Sequence, residues 1–203
     1  MKCKLVTITV LVGLLGACAA EEVVQPLTSS NSSLALSETG LGTLNRDSNF
    51  DTATLQQALP GYMLEKGTQT AEGEPFEVFR VYQQDQLILE VHADLSGSKI
   101  DSIVLLSDTI PGPNDTRVGI SFVETVGHEQ FDCLPGVEEL SGKVVCYLGE
   151  DTLVQYVYEP MWAGPDGVLP PPEVLTTAKL NRMFWISELP GVEPTRSDAE
   201  TTN

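Results

Sequence analysis

The side chains in this sequence with chemistry to offer are two histidines, four cysteines and a large excess of carboxylates. His92 stands two residues from Glu90 and two from Asp94. In an extended strand that spacing puts all three on one face, as a metal or acid–base cluster or as a solvated polar surface. His128 lies near the end of a short helical segment, where a histidine caps carbonyls and complements the helix dipole. A Ser–His–Asp set is defined by geometry, but no G-x-S-x-G or other nucleophile motif accompanies either histidine. Asp94-x-Ser96-x-Ser98 begins like a calcium loop. Gly97 then falls at the fourth position instead of the sixth, and Leu105 stands where the twelfth-position Glu belongs. Gly40-Leu41-Gly42 lacks the third glycine of a dinucleotide loop. Glu138 and Glu139 are adjacent, so a strand would turn them to opposite faces. The expectation is a protein without a catalytic set, a metal site or a bound cofactor.

The cysteines carry a different chemistry. Cys133 and Cys146 bracket L-P-G-V-E-E-L-S-G-K-V-V, a turn-rich insert between strand-like ends. A redox pair would show C-x-x-C, and a metal site would need more ligands nearby. The reading preferred is a structural disulfide, contributing about 3 kcal/mol by loop closure. Cys18 ends Leu15-Gly16-Ala17-Cys18, which looks like a lipobox, the cleavage signal of bacterial lipoproteins. Lys2 and Lys4 precede it, followed by a 13-residue uncharged run from Leu5 to Ala17. That run makes about 20 Å of helix, short of the roughly 30 Å hydrocarbon core, so it reads as an export signal and not a span. Cys18 then becomes the first mature residue and carries a covalent lipid, whose acyl chains give a stable anchor. Ala19 in place of Asp implies, by resemblance to sorted Gram-negative lipoproteins, the outer membrane with the domain facing the periplasm.

Around these residues the chain divides into a signal (1–17), a flexible Ser/Thr/Asn-rich tether (18–37), a folded domain (38–189) and a disordered tail (190–203). Asp51 followed by T-A-T-L-Q-Q-A-L reads as an N-cap and short helix ended by Pro60-Gly61. Ser121 with Glu124 has capping-box spacing for a helix over 121–128. Residues 173–179 make a helical turn. Strands are expected over 62–66, 76–83, 87–94, 99–106, 143–148, 152–158 and 180–186, with Leu95-Ser96-Gly97-Ser98 as a hairpin turn. Short turns between successive strands imply a single α+β domain. It is built on a largely antiparallel sheet, with two or three short helices on one face.

Five prolines over 159–172 exclude regular structure there. Trp162, Gly164, Pro165, Gly167 and Pro170 make either a rigid loop whose Trp plugs the sheet edge or an aromatic recognition loop.

The 203-residue chain carries 11 Lys+Arg against 29 Asp+Glu, a formal net charge of −18. Loss of residues 1–17 removes two Lys, leaving 9 against 29, or −20. Nucleic acid and a basic-patch attachment to anionic lipid are both excluded as expectations, since each needs clustered Lys and Arg. Hydrophobic residues make up 41%, enough for a packed core.

The lipobox, Cys133, Cys146 and the Trp-Gly-Pro loop together resemble the RpoE-regulated lipoproteins of Gram-negative bacteria, a family defined by a domain of unknown function. The resemblance runs from Glu38-Thr39-Gly40-Leu41-Gly42 to Trp185-Ile186. It passes through Ile100-Asp101-Ser102-Ile103, Asp108, Ile110, Val118-Gly119, Phe122, Trp162, Gly164-Pro165-x-Gly167 and Leu169-Pro170. It implies an α+β domain at the outer membrane, induced in envelope stress, and no catalytic residue. The expected function is a non-enzymatic accessory or binding lipoprotein with a cell-envelope protein as partner. The alternative is an acidic inhibitor or sensor of a cationic ligand, such as a basic lysozyme-like enzyme or peptide.

Overall fold

The computed structural model describes residues 34–71, 73–126, 132–149 and 151–189. Its centre is one eight-stranded antiparallel sheet, built from two four-stranded meanders. The first comprises β3 (Met63–Ala71), β4 (Glu74–Gln83), β5 (Gln86–Ala93) and β6 (Ile100–Leu105). The second comprises β7 (Asp132–Pro135), β8 (Val144–Tyr147), β9 (Val154–Glu159) and β10 (Lys179–Ile186). The last strand of each meander pairs with the other, Trp185 opposite Ile103 and Met183 opposite Leu105, giving the order β3-β4-β5-β6-β10-β9-β8-β7. A two-stranded ribbon, β1 (Leu36–Ser37) with β2 (Gly40–Leu41), stands apart from the sheet. The fold class is the expected α+β with a largely antiparallel sheet and three short helices.

Alternation along the strands decides what is buried. Phe79 and Val81 of β4, Leu89 and Val91 of β5, Ile103 and Leu105 of β6 and Met183 and Trp185 of β10 point to one face and are at most 2% exposed. The helices α1 (Thr52–Ala58), α2 (Phe122–Val126) and α3 (Pro172–Leu175) add Leu55, Phe122 and Leu175 to the same cluster. Each buried Leu, Val or Phe contributes about 1.5–3 kcal/mol by leaving water.

Local chemistry starts and stops these helices. Asp51 Oδ1 accepts the Thr54 N–H at 2.8 Å, and that backbone donor lowers the Asp51 carboxyl below its ordinary value. At α2 the Glu124 carboxylate accepts the Ser121 N–H at 2.8 Å, the returning half of a capping box. The Ser121 hydroxyl also donates to that carboxylate. The helix is placed over Phe122–Val126, and residues 127–131, including His128, lie outside the described residues.

Three boundaries differ from expectation. The tether was expected to run to residue 37, but Leu36 is 2% exposed and its N–H donates to Pro111 at 2.8 Å, so the fold takes in that stretch. An apolar side chain with a core to join and a carbonyl to meet does not stay in solvent. Strand β3 extends from the expected Lys66 to Ala71, because β4 supplies a ladder partner for every residue up to Glu74. Strand β7, of which the sequence gives only a strand-like end at Cys133, spans Asp132–Pro135 at the sheet edge, paired with β8 alone among the described residues. Glu38 anchors the ribbon. Its carboxylate accepts Thr152 Oγ1 and the Leu153 N–H, and its carbonyl accepts the Trp185 indole N–H at 3.1 Å.

Candidate functional site

The sheet face turned away from the core cluster carries a polar row across β3 to β6. The register places Arg80 opposite Glu90, and His92 opposite both Val78 and Ser102. Glu90 is the hub. It accepts Gln69 Nε2 at 2.9 Å, lies 3.4 Å from Arg80 Nε and 3.5 Å from His92 Nε2. The nearby His92 ring lowers the Glu90 carboxyl below the usual carboxylate range, against the desolvation of burial, and Gln69 and Arg80 add to the lowering.

His92 has both ring nitrogens turned into the protein. Nδ1 is 3.1 Å from Ser102 Oγ, and Ser102 itself is buried. Nε2 is buried, faces the Glu90 carboxylate and makes no hydrogen bond of normal geometry. The Ser–His–acid sequence of contacts is therefore present without the accessibility that nucleophilic catalysis needs. A serine able to attack must reach a substrate, and a base must keep a nitrogen within reach of the proton it takes.

What His92 does present is its ring. Phe76 lies against it, centroids 5.2 Å apart at 60°. The two rings line a cavity of about 350 Å³ at the end of the sheet, where the β3–β4 turn meets the end of β5. Pro75, Ala93 and Leu95 continue the apolar wall, and Glu74 and Asp101 supply carboxylates. Asp101 reaches this cavity through a bulge. Ser102 pairs with His92 and Ile100 with Ala93, so Asp101 is the extra residue of β6, and a bulge re-aims such a side chain. Desolvation raises the Asp101 carboxyl above its ordinary value, partly offset by the Ser187 hydroxyl at 3.3 Å, with Asp94 and Glu188 adding to the rise.

Asp94 does not join His92 and Glu90. Its Oδ1 accepts the N–H groups of Ser98 at 2.9 Å and Lys99 at 3.2 Å, and Ser96 Oγ donates to both of its oxygens. The resemblance of this loop to a calcium site is thus an Asx turn that closes the β5–β6 hairpin. Among the described residues no group of three or more His, Cys, Asp or Glu side chains is arranged to hold a metal ion.

Cys133 and Cys146 face each other in register across β7 and β8, Cα atoms 4.1 Å apart, and form a disulfide. The Trp162 loop closes on itself. A Cβ on Gly164 would lie 2.0 Å from the Trp162 ring, so only glycine lets the indole settle there. Ser141 Oγ donates to Asp166 at 2.6 Å, and the hollow bounded by Trp162, Gly164, Pro165, Gly167 and Pro170 measures about 20 Å³, room for a water molecule at most. Cys18 lies outside the described residues.

Nothing in the sequence singles out Phe76, Arg80 and Gln69, and Asp101 and Ser102 stand out only within the Ile100-Asp101-Ser102-Ile103 stretch of the family resemblance. Period-two alternation finds His92 and Glu90 on one strand, but their neighbours come from three other strands through pairing register.

The chain matches the family described as "Protein of unknown function (DUF1131)" over residues 21–187. It is 25% identical over 155 residues to "Uncharacterized protein YfeY" of Escherichia coli (strain K12), a span of 76% of this chain and 80% of that protein. The crystal structure of the uncharacterized protein yfeY from Escherichia coli is similar with a TM-score of 0.63 and 25% sequence identity, covering 75% of this chain and 99% of that one.

Proposed function

This chain belongs to the DUF1131 family, and on that premise we propose that it is a non-enzymatic, lipid-anchored protein of the outer membrane that faces the periplasm and serves as a binding or accessory protein in envelope stress. The observation that carries the binding reading is the orientation of His92: both nitrogens face inward, Nδ1 to Ser102 and the buried Nε2 toward Glu90, while its ring and Phe76 wall a cavity. Such a histidine is a surface for a ligand to lie against, not a base. The anchor rests on Leu15-Gly16-Ala17-Cys18 behind an uncharged export segment. The Cys133–Cys146 disulfide fits an oxidising compartment such as the periplasm.

A second reading is an acidic inhibitor or sensor of a cationic ligand. Net charge −18 and the carboxylates of Glu74 and Asp101 at the cavity favour it, because such a field speeds encounter with cations. Labelling cells with an alkyne fatty acid tests the anchor. The full-length protein should take up the label and fractionate with the outer membrane, and Cys18→Ala should lose both properties. An unlabelled wild-type protein recovered from the soluble fraction would rule the anchor out. Crosslinking in intact cells tests the partner: recovery of one envelope protein is expected, and recovery of abundant bystanders alone would contradict it.

A further inference from the structure

Among the described residues, Glu74, Glu77, Asp94 and Asp101 stand around two hollows at the end of the sheet, and they are not in the same state. Two hollows share the wall made by Pro75, Phe76, Ala93 and Leu95: the cavity of about 350 Å³ and a neighbour of about 300 Å³. The neighbour's carboxylates are already engaged. Glu77 pairs with Lys66 Nζ at 2.8 Å, and Asp94 is tied into its Asx turn. The two in the larger cavity are unspent. The Glu74 carboxylate makes no ion pair or hydrogen bond to another described residue, and the Asp101 carboxylate has only the Ser187 hydroxyl at 3.3 Å. Among the described residues no Lys or Arg lines this cavity of about 350 Å³, and Asp101 also borders a third hollow of about 520 Å³ with Arg46 and Lys99 in its lining. Leu95 stands at the rim with its side chain fully in solvent.

From this we infer that the cavity binds an organic cation, an ammonium or guanidinium on an apolar stem, with the stem against Phe76, Pro75 and Leu95 and the charge at Glu74 and Asp101. The inference rests on the binding reading above and gives it a ligand class. Its chemistry excludes the alternatives. An anion would meet two carboxylates without a cation between them. A bare metal ion has no converging ligand set among the described residues and gains nothing from an aromatic wall. A neutral apolar ligand would desolvate Glu74 and Asp101 with no compensating charge. An organic cation satisfies both halves of the site, and the Phe76 ring face adds a cation–π attraction. The volume falls in the range of small-ligand pockets, about 300–1,000 Å³. A free amine and the side chain of a cationic peptide share this chemistry.

Titrating the isotopically labelled full-length protein, in nonionic detergent, with phenethylammonium, 2-phenylethanol and 3-phenylpropionate tests the inference. Phenethylammonium should move the amide signals of Glu74, Phe76, residues 92–95 and Asp101, and should bind at least about tenfold more tightly than the neutral and anionic analogues. Asp101→Asn and Glu74→Gln should each weaken that binding several-fold without lowering the melting temperature, and Leu134→Ser at the far edge should not weaken it. Equal binding of alcohol and amine at the same residues would overturn the cation and leave the binding site standing. Failure of every probe to move those signals would overturn the site as well. Adding N-acetyl-Phe-Lys-amide separates the sources: tighter binding than phenethylammonium points to a peptide, weaker binding to a free amine, and either supports the ligand class.

Discussion

His92 and Phe76 lie ring against ring, centroids 5.2 Å apart, with the His92 nitrogens turned away toward Ser102 and Glu90. The ring is held from behind by polar contacts and lines the cavity. That arrangement makes Glu90 a positioning residue for the cavity wall.

Glu90→Gln should therefore cost about 1–3 kcal/mol, because it removes the charge that Arg80 and His92 face. The Glu90 carboxyl is held below its ordinary value in the folded protein. Its contribution is thus complete above the unfolded value of about 4.3 and is lost as pH falls through the lower folded value. Urea unfolding of the two proteins between pH 3 and 7 should show curves that converge at the acid end.

Asp101 has the opposite sign. Its carboxyl is raised in the folded protein, so ionising it opposes folding. The penalty is present above the folded value and disappears as pH falls below the unfolded value of about 3.9. Asp101→Asn should raise the melting temperature at pH 7 and leave it unchanged near pH 3. A loss of stability at pH 7 would show that Asp101 supports the fold.

Local chemistry accounts for what the sequence revealed. The Asp51 cap and Leu55 and Leu59 behind it lie within nine residues, and the hairpin at Leu95–Ser98 is closed by its own Asp94 side chain. Non-local pairing accounts for what it concealed. Nothing near Lys179–Ile186 tells that this last strand inserts at the sheet centre against β6, a position set by burial of Met183 and Trp185. Asp101 enters the site only because the register slips between His92 and Ala93, and Phe76 only because β4 lies beside β5. Asp94, placed beside His92 by alternation, was instead drawn into a turn by two backbone N–H groups.

Gly40 should tolerate no side chain. Its φ is +128°, and a Cβ there would sit 1.9 Å from the Leu44 carbonyl oxygen. Gly40→Ala should cost several kcal/mol, since backbone must shift as well as accept strain. Gly61, with φ +87° and open space around it, provides the comparison: Gly61→Ala should cost only about 1–2 kcal/mol. Thermal unfolding followed by circular dichroism distinguishes the two.

The Cys133–Cys146 disulfide pins the edge strand β7 to β8. Replacing both cysteines with serine should cost about 2–4 kcal/mol. Non-reduced peptide mapping of the protein isolated from cells should recover the linked pair, and freely alkylated thiols at both positions would contradict it.

The end of the sheet is the place proposed for this protein to meet its ligand. A photo-crosslinking amino acid at Leu95, whose side chain is fully exposed beside the cavity, tests this in intact cells, with Val137 at the opposite sheet edge as control. Mass spectrometry should find a defined adduct from position 95 that disappears when Glu74→Gln and Asp101→Asn are combined, and none from position 137. Adducts of equal yield from both positions, or an adduct at 95 that survives loss of both carboxylates, would contradict it.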